Sequence, residues 1–75
     1  MREILKSKWN YILYEVGSEF ILSVMCGSVA LYDRNIYLNE EEKKIYESKG
    51  QSYIEELANK IRNNPDDYLE RHVKI

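Results

Sequence analysis

Hydrophobic and polar positions change period once along the 75 residues, near Leu38. Before that point, β-branched, aromatic and aliphatic residues crowd the segments from Trp9 to Val16 and from Glu19 to Cys26. Gly17-Ser18 separates them, and glycine's tolerance of positive φ suits a two-residue II′ hairpin turn. Gly27-Ser28 repeats the signal before Val29-Ala30-Leu31-Tyr32, so a third strand is expected to run towards Leu38, irregular around Asp33-Arg34-Asn35. These segments predict a three-stranded antiparallel meander. The segment from Met1 to Lys8 fits either a short helix or a leading strand.

After Leu38 the spacing becomes helical. Asn39 with Glu42 makes a capping-box pattern, Glu40, Glu41 and Glu42 complement the helix dipole, and Gly50 suits the left-handed C-terminal position. This first helix is expected to turn Ile45 and Tyr46 towards the core. Ser52 with Glu55 repeats the capping pattern, and Tyr53, Ile54, Leu57, Ala58 and Ile61 recur at three- and four-residue spacing, the stripe of a core helix. Asn64-Pro65-Asp66-Asp67 then predicts a short third helix to about Arg71. The order is βββααα, a single α+β domain over residues 1–75 with helices packed on the sheet.

If both strand connections have two residues, one sheet face carries Trp9, Tyr11, Leu13, Phe20, Leu22, Val24, Cys26, Val29 and Leu31, and is the core. The other carries Ile12, Tyr14, Val16, Ile21, Met25, Ala30 and Tyr32, interrupted mainly by Asn10, Glu19, Ser23 and Arg34. A wet antiparallel face normally alternates apolar with polar, and here the alternation is weak. Such a face needs a cover: the chain's own helices and last residues (Tyr68, Leu69, Val73, Ile75), a second copy, or another protein. Ile12, Tyr14, Val16, Ile21, Met25, Tyr32 and Arg34 form the candidate interface.

Composition narrows the functions. With 44% apolar and 32% charged residues the chain is neither disordered nor membrane-spanning in character, and no stretch approaches a membrane span. The single Cys26 excludes an intramolecular disulfide, and the N-terminal residues lack a signal peptide's apolar run, so a reducing cytoplasm is the expected compartment. All of the net charge of -2 lies after Leu38: the residues up to it hold four acids and four bases, those beyond it nine and seven.

The catalytic inventory is thin. Cys26 ends a buried strand and reads as a small core hydrophobe, while His72, among Glu70, Arg71 and Lys74, reads as a solvated surface residue. One His and one Cys cannot close a zinc site, no loop has EF-hand spacing, and no glycine-rich phosphate loop occurs, so neither metal nor cofactor is expected. Seven tyrosines could stack unpaired bases, but Arg34 is the only cation expected beside Tyr14 and Tyr32, too few for phosphate binding. Tyrosine serves protein interfaces equally well. The acidic clusters at Glu40–Glu42, Glu55-Glu56 and Asp66-Asp67 are explained by helix dipoles without a basic partner.

The expected function is therefore non-enzymatic protein binding. Its most concrete form is an immunity-type, antitoxin-type or inhibitor protein that occludes a partner, an analogy of size and composition without a diagnostic motif. A homodimeric structural or regulatory domain that hides its own second sheet face is the alternative.

Overall fold

The hairpin at Gly17-Ser18 sets the register of the whole sheet. Tyr11–Val16 (β2) and Glu19–Cys26 (β3) pair antiparallel, from Val16 opposite Glu19 to Tyr11 opposite Val24. Gly17 takes a φ of +60°, the sign that both primed turns need at their first central position. In this computed structural model, which describes residues 1–8, 10–27 and 31–74, Arg2–Ser7 (β1) pairs with β2 and Tyr32–Tyr37 (β4) with β3. The sheet therefore has four antiparallel strands in sequence order, one more than the period-two pattern predicts. Strand β1 escapes that pattern because it is a charged edge strand with a bulge between Glu3 and Leu5. The bulge breaks the alternation, so that Ile4 and Leu5 both pack against the core.

Strand β4 departs from expectation in register. Cys26 pairs with Tyr32 rather than with Val29, so the connection spans residues 27–31 instead of Gly27-Ser28. A slip of three residues is odd, and an odd slip exchanges the faces of every side chain on the strand. Ile36 thereby lands opposite Leu22 in the core, with Arg34 opposite Val24 and Tyr32 opposite Cys26 on the same face. Leu31, expected in the core, is exposed. The expected core positions Trp9 and Val29, Ala30 on the second face, the turn position Ser28 and the terminal Ile75 lie outside the described residues.

Helix Glu40–Lys49 (α1) starts as the sequence predicts: Asn39 Oδ1 accepts from the Glu42 amide while Glu42 Oε1 accepts from the Asn39 amide, both at 2.8 Å. Tyr46 packs against the core and meets the Phe20 ring edge-on, and Ile45 is half-buried. Gly50, with φ of +69°, ends α1 and begins Gln51–Asn63 (α2) directly. The capping box expected at Ser52 does not form, because Ser52 lies inside α2 and its hydroxyl donates to the Lys49 carbonyl instead. Ile54, Leu57, Ala58 and Ile61 are buried against Tyr11, Leu13, Leu22, Val24 and Ile36, the sheet-helix core that the stripe predicts. The third helix, Pro65–Arg71 (α3), is a 3-10 turn without a side-chain cap at Asn64.

The chain end seals the β4 edge. Val73 N–H donates to the Asn35 carbonyl at 2.7 Å, His72 Nδ1 accepts from the Asn35 N–H at 3.1 Å, and Arg71 donates to the Tyr37 carbonyl at 2.8 Å. The Asn35 amide and carbonyl and the Tyr37 carbonyl, which would invite another strand, are thus satisfied internally. Arg71 is itself held by both carboxylate oxygens of Glu42, at 2.6 and 3.0 Å. That grip joins the end of α3 to the start of α1. His72, far from a freely solvated side chain, is a half-buried member of this seal.

Candidate protein-interaction surface

With α2 buried on the core face, the opposite face of the sheet holds the apolar residues that take no part in that core. Ile12, Tyr14, Val16, Ile21 and Met25, five of the candidate interface residues, do share this second face, as the two-residue hairpin requires. Tyr32 and Arg34 do not: the odd slip of β4 places them on the core face. There Arg34 is buried with its guanidinium 5.5 Å from the Tyr32 ring centroid, a cation–π contact. Arg34 Nε has no hydrogen-bond partner among the described residues, and neither does Asn35 Oδ1 on the opposite face.

The same slip brings in Tyr37, which the sequence reading missed. It stands opposite Ile21, and Ile21 stands opposite Tyr14, so Tyr14, Ile21 and Tyr37 form one row across three strands. Tyr37 is 43% exposed and Tyr14 partly so, while Ile21 between them is 2% exposed although it lies outside the helix-packed core. In the register the smaller aliphatic side chain has a tyrosine as its cross-strand neighbour on either side. The signal for Tyr37 was present in the alternation of Ile36 and Leu38: both are core positions, which sends Tyr37 to the far side. The polar Arg34 two residues earlier hid that phase.

At one end of this face the strands enclose an apolar groove of about 280 Å³ lined by Lys6, Lys8, Ile12, Ser23, Met25 and Asp33. Its charges are segregated. Lys6 and Lys8 belong to the β1 side, and Asp33 to β4 on the far rim. Lys6 is 4.0 Å from Glu3, whereas among the described residues neither Lys8 nor Asp33 has an ion-pair partner. The floor is fixed from behind by Arg62 of α2, which donates to the Met25 carbonyl at 3.2 Å and to both the backbone carbonyl and the side-chain oxygen of Asn10.

The residues weighed for chemistry are placed otherwise. Cys26 is buried in the core, its Sγ 3.6 Å from the Val24 carbonyl, and burial pushes its thiol above the ordinary range. Labelling by a thiol-reactive disulfide is accordingly expected to be slow in the native protein and immediate in guanidinium. Fast native labelling would place Cys26 at the surface. Tyr11, also buried, shares its hydroxyl between Gln51 and Glu55, and burial raises its phenol. Among the described residues no group of His, Cys, Asp and Glu is arranged to hold a metal ion, and no helix is long and apolar enough to cross a membrane. The chain matches no family model, no curated protein and no solved structure.

Proposed function

We propose that this chain is a non-enzymatic protein-interaction domain whose working surface is the second face of the sheet. The observation that carries this is the row Tyr14, Ile21 and Tyr37, flanked by Ile12, Val16 and Met25, on the side away from the helix-packed core. The helices cover the other face, and here Ile12, Tyr14, Val16 and Met25 stay half-buried and Tyr37 exposed, apolar positions that a sheet face turned to water usually fills with polar residues. Tyrosine suits it, since the ring supplies contact area at low entropic cost and the hydroxyl tolerates water before a partner arrives. The engagement of Cys26 in the core and of His72 Nδ1 by the Asn35 amide supports a non-enzymatic reading.

The double substitution Tyr14→Ser, Tyr37→Ser tests it. At high dilution the variant is expected to keep its fold at a cost of about 1–2 kcal/mol, because it loses the half-buried Tyr14 ring beside the buried Ile21. It should also lose partners that the wild-type chain retains, because truncated aromatic anchors cost about 2 kcal/mol or more of binding. Urea denaturation followed by circular dichroism checks the first outcome, and a side-by-side pull-down the second. A variant unfolded at high dilution would make the face a structural core and end the proposal.

A further inference from the structure

We infer that the occupant of the second face is a second copy of this chain, stacked face to face as a β-sandwich whose two-fold axis runs between the sheets along the strands. The inference rests on the protein-interaction reading above and adds the identity of the partner. Its basis is the distribution of charge around the groove. Lys8 and Asp33 lie at the same end of the sheet: the turn holding Lys8 leads into Asn10, whose carbonyl accepts from Met25 N–H, and Met25 stands opposite Asp33. They sit on opposite rims, and both lack an ion-pair partner among the described residues.

A two-fold axis parallel to the strands preserves position along them and exchanges the two edges. Strand β1 of one copy then lies over β4 of the other, which sets Lys8 against the partner's Asp33, and Asp33 against the partner's Lys8. One rotation thus satisfies both unpaired charges twice over. It also sets Tyr14 against the partner's Ile21, Ile21 against the partner's Tyr14, and Tyr37 against the partner's Glu3 at the same height, an isologous contact. Two twisted sheets stack in this way at about 10 Å, with strands about 30° apart. The seal at Asn35 and Tyr37 narrows the β4 edge, and the charges and bulge of β1 disfavour pairing at the other, which leaves the face to carry the association.

Sedimentation equilibrium of the isolated chain from micromolar to millimolar concentration tests the inference. The wild type is expected to dimerise, more weakly as salt is raised. Lys8→Glu and Asp33→Lys, both at exposed positions, should each raise the dimer Kd about tenfold or more, since each sets two like-charge pairs in the interface. The double variant carrying both reversals should return to within about threefold of wild type, because the pairs are restored with opposite polarity. A wild-type chain that stays monomeric at millimolar concentration overturns the inference, as does a double variant no better than either single one. Neither result touches the protein-binding reading, which fails separately if Tyr14→Ser, Tyr37→Ser unfolds the chain at high dilution.

Discussion

Leu22→Ala should remove about 2–5 kcal/mol of stability, the loss of a large buried side chain plus the cavity left behind. Leu22 sits in the centre of the layer: it pairs with Leu13 on one side and Ile36 on the other, is fully buried, and belongs to the cluster that contains Ile54, Leu57, Ala58 and Ile61 of α2. Leu57→Ala attacks the same contact from the helix and falls in the same range. Domains of this size have only about 5 kcal/mol to lose, so either variant is expected to be partly unfolded at room temperature. Denaturant midpoints measured by circular dichroism check this, and unchanged midpoints for both would remove the sheet-helix core. The contrast with Tyr14→Ser, Tyr37→Ser is informative, because that pair lies on the other side of the same strands.

The second large effect centres on Glu42. Its carboxylate accepts from the Asn39 amide in the capping box and receives Arg71 through both oxygens, with the Glu42 side chain 12% exposed and that of Arg71 33% exposed. Glu42→Ala removes both functions and is expected to cost about 2–3 kcal/mol, between the loss of a cap and the breaking of a fully buried pair. Arg71→Met should cost about 1–2 kcal/mol, discounted for its exposure to solvent. The sum should exceed the loss in the double variant, since both substitutions break one interaction. A separate readout locates the effect. Arg71 anchors the segment that covers the β4 edge, so amide exchange at Asn35 and Val73 should accelerate in Arg71→Met more than exchange at Leu13 or Leu22. Uniform acceleration, or none, would mean that the seal does not depend on Arg71.

Much of this architecture was legible locally. Gly17-Ser18 announced the first hairpin, Asn39 with Glu42 the start of α1, and the spacing of Ile54, Leu57, Ala58 and Ile61 the helix that covers the sheet. Each signal is carried by residues within one or two turns of each other, so neighbouring backbone and side-chain preferences suffice to set it. The five candidate interface residues on β2 and β3 were legible for the same reason: a short hairpin transmits its register to every position along both strands.

What only the tertiary structure decided was non-local. Arg2–Ser7 is a strand because β2 offers an open edge and the bulge near Glu3 lets Ile4 and Leu5 reach the core, neither of which is encoded in the segment's own period. The length of the connection before β4 could not be read from Gly27. It determines whether Tyr32 or Tyr37 reaches the second face, because one odd step exchanges the sides of a strand. Glu42 read as a capping-box and dipole-complementing acid, and His72 as a solvated residue near the end of the sequence. The return of the chain end along β4 makes Glu42 an anchor for Arg71 and gives the His72 ring a backbone amide to accept. Local propensity determined the elements of this protein, and long-range packing decided which side of the sheet the helices leave uncovered.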